Sequence, residues 1–417
     1  MLSIYRILIS LVFILSPLII IYRIIKKKED IKRFKEKFCF FSKKRGQGKL
    51  LWFHGASVGE IKSIIPIIEK LEQDKRINKI LVTSNTLSSS KIIDQLKFKK
   101  TIHQFFPIDT YFLSKKFIDY WKPSLAFFID SEIWPNMFLN LEKKNIPINL
   151  LNGRITKGTF SNWRLVPRLS KELFGKFKLC LCSSNESKRF LIKLGARKVK
   201  FFGNLKFSQS ETDKIEINNY LKKYFNLKKT WCASSTHETE EYFCGKIHKE
   251  LKKKYKNLLT IIIPRHVERV DSIISELKKL NLIIHTHLPK KKINKNTDIY
   301  IVNSYGKTKS FYNYCKNVFL GGSLINHGGQ NPLEPARYGC NIIHGPNVDN
   351  FNEIYKFLNQ NKMSKNISNQ NEMLNILDNL FTKKISTKKI QKKINIIGRN
   401  ILKTTYQEIN LLLKNEI

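Results

Sequence analysis

From Lys49 onward, short runs of β-branched and aromatic residues alternate with amphipathic helical stretches, and no other feature limits the fold of this chain so tightly. Leu50–Phe53, Ile80–Thr83, Ile102–Phe106, Leu125–Ile129, Ile146–Leu151 and Leu179–Cys182 read as strands, each separated from the next by enough residues for a crossover helix. Parallel strands require such crossovers and are covered on both faces, which is why they read as apolar runs rather than alternating ones. The pattern predicts a doubly wound α/β sheet. A polar stretch, Ser208–Lys214, interrupts it. A second series follows at Trp231–Ala233, Leu258–Ile263, Leu282–His285, Ile299–Val302, Val318–Leu320 and Asn341–His344. At 417 residues the chain exceeds what one core usually serves. The expected organisation is one α/β domain over residues 49–207, a linker over 208–228, a second domain over 229–395 and a C-terminal helix over 396–417. Two such domains in succession suggest a cleft between them. The Lys/Asn-rich tail beyond Asn359 reads as surface helices.

Ahead of the first strand, Ile4–Ile25 is almost wholly apolar, broken by Arg6 and Arg23. A helix needs about 20 apolar residues to cross a bilayer, and this run reaches that with its flanking isoleucines. Lys26, Lys27 and Lys28 follow at once, then Lys32, Arg33, Lys35 and Lys37. A basic flank stays on the cytoplasmic side. The expectation is therefore a single-pass N-terminal transmembrane anchor over residues 1–25, a basic linker over 26–48 and a cytoplasmic body. A cleaved signal peptide would need a small-residue processing site, and none follows the run.

The 76 Lys and Arg against 33 Asp and Glu give a formal charge of +43, which implies attraction to polyanions: nucleic acid, phosphorylated lipid or an anionic membrane surface. The lysines are spread along the whole chain, so part of this charge belongs to solvated faces. The seven cysteines show no paired metal-ligand spacing and lie mostly in apolar runs, as buried free thiols of a reducing compartment do. Cys180-x-Cys182 and His285-x-His287 lack further clustered ligands, so no metal is expected.

Two stretches carry chemistry. In Leu50–Glu60 a strand runs into Gly55, Ala56, Ser57 and Gly59, and Ile61, Ile64, Ile65 and Ile68 then recur at helical spacing. Glu60 thus falls in the first turn of a helix at the carboxyl end of a strand, where open α/β sheets bind ligands. It either complements the helix dipole, worth about 0.3–1 kcal/mol, or serves as a general base. In the second domain, Gly321–Ala336 holds four glycines and two prolines, with a strand ending at Leu320 and a helix expected near Pro332. Exposed backbone N–H groups there suit a phosphate, and Glu334 suits ribose hydroxyls. Gly306-Lys307-Thr308 is no P-loop, because Ile301 stands where that motif needs glycine.

His54-Gly-Ala-Ser-Val-Gly-Glu60, Asp130-Ser-Glu-Ile-Trp-Pro-Asn136, Gly203-Asn-Leu-Lys-Phe207, Pro264-Arg-His266 and the Gly321–Glu334 block, in this order after an apolar N-terminus, closely resemble the 3-deoxy-D-manno-octulosonic acid (Kdo) transferases of lipopolysaccharide synthesis. The resemblance implies a GT-B fold, with two Rossmann-like domains facing a cleft, acceptor on the first and CMP-Kdo on the second. It implies inverting transfer of Kdo from CMP-Kdo to the tetra-acylated lipid A precursor at the inner face of the cytoplasmic membrane, without metal or other cofactor and without nucleic acid as a partner. Carried over by motif, Glu60 is the general base that takes the proton of the acceptor's primary hydroxyl, and Asp130 and Lys206 stabilise the transition state. Asp130 is one methylene shorter than the glutamate usual in the family. Pro264, Arg265, Tyr305, Gly306, Lys307, Asn331, Pro332, Leu333 and Glu334 fall on the CMP-binding segments, with Ser234, Ser235 and Thr236 as further phosphate or sugar contacts. Asn303 and Lys307 depart from the family's Asp-x-x-Gly-Glu pattern, which leaves backbone contacts to CMP there. The rivals are a GT-B enzyme that uses a UDP-sugar and, from another class, a non-catalytic basic scaffold for anionic lipid or nucleic acid.

Overall fold

A computed structural model describes residues 1–209, 217–287, 293–383 and 387–416. The chain divides into two compact units, residues 1–210 with 397–417 and residues 211–396.

The first unit is built on seven strands, β1 (Leu50–His54), β2 (Lys79–Ser84), β3 (Thr101–Phe105), β4 (Leu125–Ile129), β5 (Ile148–Gly153), β6 (Phe177–Cys182) and β7 (Val199–Phe201), in the spatial order β3-β2-β1-β4-β5-β6-β7. Every neighbouring pair is parallel. All five residues of β1 are buried, as a central strand covered on both faces demands. Trp52 packs its ring against Phe117 and Phe128, at 5.0 and 5.3 Å between centroids.

The second unit repeats the plan with β8 (Lys229–Thr236), β9 (Leu258–Pro264), β10 (Ile284–Thr286), β11 (Ile299–Ile301), β12 (Asn317–Leu320), β13 (Asn341–His344) and β14 (Ser364–Asn366), in the order β10-β11-β9-β8-β12-β13-β14, again all parallel. In both sheets the chain first fills one side of the first strand, in the second sheet with β11 inserted between β9 and β10, and then crosses to its other side. The strand order therefore turns back between β1 and β4, and between β8 and β12, and the crevice beyond such a turning point is where open α/β sheets hold their ligands.

The edge strands β7 and β14 depart from the sequence reading. Each is three residues long, too short to register as an apolar run, and β14, Ser-Lys-Asn, lies in the tail read as surface helices. Residues 210–216 of the expected linker lie outside the described residues; further along it, Asn219–Asn226 forms a helix that buries Leu221, Tyr224 and Phe225. The C-terminal helix starts at Thr387 rather than 396 and runs to Glu416. Its last turns belong to the first unit, where Glu408 pairs with Lys200 at 2.7 Å.

Helix α1 (Leu2–Ile25) is long and apolar enough to cross a membrane. All seven cysteines are free and buried.

Candidate active site

In the first unit, β1 ends at His54, Gly55–Ser57 make the turn, and α2 (Val58–Glu72) begins behind Ser57 as its N-cap. A Cβ on Gly55 would come within 3.1 Å of the Glu60 side chain and 3.3 Å of Ile61, so any larger residue there would crowd Glu60. The Glu60 carboxylate accepts hydrogen bonds from the Ala56 N–H at 2.6 Å and the Ser57 hydroxyl at 2.8 Å, and Ser57 in turn caps the Glu60 N–H. The arrangement is a variant of the capping box, with the N–H of Ala56 in place of that of the N-cap residue, and its two donors favour the charged carboxylate. They are outweighed. Burial, and then the negative charges of Asp130 and Glu132, push the Glu60 carboxyl up to about 7.

Asp130 follows β4 with a left-handed backbone (φ 55°) and is only 7 % exposed. One carboxylate oxygen accepts from Asn152 Nδ2 at 2.5 Å, the other from Lys206 Nζ at 3.1 Å. Asn152, near the end of β5, uses its own Oδ1 to accept from the Leu205 N–H. It thereby fixes the short 3-10 turn Leu205–Ser208, which carries Lys206 and packs on α2. The shorter Asp130 side chain thus still reaches its cation. Glu132, part of the motif around Asp130 but not singled out in the sequence, completes an acidic cluster: it receives Trp134 Nε1 at 2.9 Å and lies 3.2 Å from His54 Nε2.

In the second unit the expected nucleotide residues all leave the carboxyl edge of one sheet. Pro264 ends β9, and the exposed Arg265 donates its N–H to the Thr236 carbonyl at 2.9 Å. Tyr305, Gly306 and Lys307 follow β11, and the Tyr305 hydroxyl reaches Glu268 at 3.0 Å, tying this loop to the turn after Arg265. Asn331 accepts from the Leu333 N–H at 3.1 Å, and Glu334 stands in the first turn of the helix Leu333–Arg337. Pro332 and Leu333 are buried, so their side chains belong to the core. Ser234 and Thr236 are buried as well, with Ser234 Oγ 2.8 Å from the Tyr312 hydroxyl; of those three only Ser235 is partly exposed.

The glycine-rich loop corrects the sequence reading. The N–H groups of Gly322, Ser323 and Leu324, expected to be open to a phosphate, donate to the carboxylate of Glu240 at 2.7, 3.1 and 3.1 Å, and the His237 N–H joins them at 3.0 Å. Glu240 is 1 % exposed and serves as an internal anion for the loop. Gly321 is required beside it, since a Cβ there would sit 2.5 Å from the Ser235 carbonyl. No local pattern marks Glu240, because three of its four partners lie 82–84 residues further on.

Glu60 and Glu240 occupy equivalent places, each in the first turn of the helix that follows the first strand of its sheet. Glu240 is sealed and saturated by four backbone donors. Glu60 is partly exposed and holds two.

His237 was also missed. It lies between His327 and His266, with ring centroids 4.2 and 5.7 Å away, and burial followed by the His327 charge lowers its pKa to about 4. Nδ1 is 3.2 Å from the Ser235 carbonyl and so carries the proton, leaving Nε2 a buried acceptor without a partner among the described residues. Among the described residues, no group of three or more His, Cys, Asp or Glu side chains is placed to share a metal ion.

Two Rossmann-like units in one chain, each gathering its polar side chains where the strand order turns back, have the architecture of a GT-B glycosyltransferase. Residues 32–209 match the family profile described as 3-deoxy-D-manno-octulosonic-acid transferase (kdotransferase). The 3-deoxy-D-manno-octulosonic acid transferase of Rickettsia bellii is 31 % identical over 376 residues, covering 88 % of this chain and 89 % of its own. That of Haemophilus influenzae is 29 % identical over 359 residues, 84 % of each chain. Among solved structures, UDP-GlcNAc 2-epimerase from Neisseria meningitidis bound to UDP-GlcNAc aligns over 88 % of this chain and 100 % of its own, with a TM-score of 0.59 and 17 % identity, a likeness of fold alone. The chain belongs to the Kdo transferase family, and its activity is Kdo transfer in lipopolysaccharide biosynthesis.

Proposed function

We propose that this enzyme transfers Kdo from CMP-Kdo to the lipid A precursor at the cytoplasmic face of the inner membrane, with inversion at the anomeric carbon. The observation that carries the reading is the Glu60 carboxylate, held at the carboxyl edge of β1 and raised to about 7 by burial and two acidic neighbours. A group poised near neutral pH can take a proton and still be ionised often enough to act as a base. The acceptor's primary hydroxyl oxygen forms a bond to the anomeric carbon as the bond from that carbon to the phosphate oxygen breaks. The electron pair leaves with CMP, and the hydroxyl proton passes to Glu60. Lys206, held by Asp130, supplies positive charge for the negative charge that develops in the transition state.

For the donor, Arg265 offers a cation beside Pro264, the Tyr305–Lys307 loop offers backbone contacts, and Asn331 to Glu334 present Glu334 for the ribose. With three loop amides committed to Glu240, the Arg265 and Lys307 side chains are the better candidates for the phosphate and the Kdo carboxylate. The formal charge of +43 suits a bisphosphorylated acceptor among anionic lipids. Incubation of the purified protein with CMP-Kdo and lipid A precursor, followed by mass measurement, tests this. Addition of one or more Kdo residues, inhibited by CMP and not by UDP, is expected. Inhibition by UDP and no gain in mass would point to the UDP-sugar alternative.

A further inference from the structure

Helix α1 does not stand free of the body. Leu2, Tyr5, Ile9, Ser16, Ile20 and Arg23, spaced three, four or seven residues apart, fall on one side of the helix; Ser16 and Ile20 are buried and the others partly covered. Both ends are tied to the same unit. Near the start, the Tyr5 hydroxyl donates to Asp109 at 2.7 Å, and Arg6 donates to Asn136 at 3.1 Å with its guanidinium over the Tyr111 ring. In the middle, Phe13 meets Phe38 edge-on at 6.0 Å. Near the end, Arg23 pairs with Glu29 at 2.8 Å. Asp109 also accepts the N–H groups of Asn136 and Met137, so Tyr5 completes a buried polar knot.

Tyr5 and Arg23 are about 27 Å apart along a helix that rises 1.5 Å per residue, which is close to the thickness of a bilayer's hydrocarbon core. A crossing helix would carry Tyr5 and Arg6 to the far side, away from Asp109 and Asn136. The opposite side of α1 is apolar throughout: Ile7, Leu11, Ile14 and Leu18 are all exposed, Ile7 by 62 %. Beside it the unit exposes further apolar groups with cations over them, Phe40 under Lys116 and Tyr111 under Lys143, while neighbouring Phe112 is 69 % exposed. Of the three acids of the adjoining basic segment, Glu29 and Glu36 are buried against Lys37 and Arg33, and Asp30 accepts from the Lys32 and Arg33 N–H groups, while Lys26, Lys27, Lys28, Lys32 and Lys35 stand outward.

We infer that α1 lies along the surface of an anionic bilayer, its outer face sunk into the boundary between headgroups and acyl chains, and does not cross it. Apolar residues on one side and lysines at the margin are what such interfacial helices present to anionic lipid. The inference is independent of the transfer chemistry.

The native cysteines are buried, so Ser3→Cys and Lys27→Cys, both at exposed positions in the full-length chain, report topology with a membrane-impermeant maleimide. Both are expected to label to the same extent in inverted inner-membrane vesicles and not in intact spheroplasts. Labelling of Ser3→Cys from the spheroplast side, or only after detergent, would overturn the inference. So would a purified chain that pairs with a second copy and fails to float with phosphatidylglycerol vesicles.

Discussion

Lys206 Nζ lies 3.1 Å from Asp130 Oδ2, joining the turn after β7 to the turn after β4 at the sheet edge that carries Glu60. Both side chains are largely enclosed, so the pair holds a cation in place before any substrate arrives. Lys206→Ala would leave Asp130 buried with only Asn152 as an observed side-chain partner. A loss of about 10²–10³ in kcat is expected, the scale for removing one preorganised transition-state contact. A drop of about 1–3 kcal/mol in stability should accompany it, from the carboxylate left underpaired. Steady-state kinetics and denaturant titration measure both, and an unchanged kcat would show that Lys206 plays only a structural part.

Glu60 sets the acid limb of the pH profile. Its carboxyl is raised from 4.5 to about 7, so the ionised base accumulates only as pH climbs through about 7, and kcat/KM should rise there and level off above. Glu132→Gln removes one of the negative charges that raise this pKa, so the limb should move to lower pH. A limb that stays put would mean that another group controls the rate.

The same shift has a consequence for stability. A carboxyl that binds its proton more tightly when folded contributes most below its unfolded pKa, near 4.5, and that contribution is lost as pH rises towards 7. Glu60→Gln should therefore melt at a higher temperature than the parent at pH 8 and at nearly the same temperature at pH 4.5. The base would be a residue that function keeps at the expense of the fold. Thermal melts at the two pH values check this.

Glu240 makes the opposite case. Glu240→Gln puts an NH₂ group against backbone N–H donors and leaves at least one of them buried and unpaired, at a cost of about 1–3 kcal/mol. The Gly321–Leu324 loop should loosen, and CMP should bind more weakly by calorimetry, although Glu240 itself is sealed from solvent. Unchanged affinity would separate this loop from the donor site.

What the sequence discloses follows the range of the interactions. The central strands were legible because a strand buried on both faces must be apolar along its length, whereas β7 and β14, at the sheet edges, carry Lys and Asn and leave no such trace. The place of Glu60 in the first turn of α2 was legible because strand, turn and helix start are contiguous. Glu240 and His237 were not, since each takes its meaning from a loop about 80 residues away. The glycine loop misled for the same reason: its composition announces N–H groups that need an anion, but not that the chain supplies one itself.

The most direct test of the proposed mechanism is Glu60→Gln, which keeps the shape of the side chain and removes its ability to take a proton. With CMP-Kdo and lipid A precursor, product measured by mass should fall to background at every pH while CMP-Kdo binds as tightly as to the parent. Turnover retained by the purified variant would contradict the assignment of Glu60 as the base.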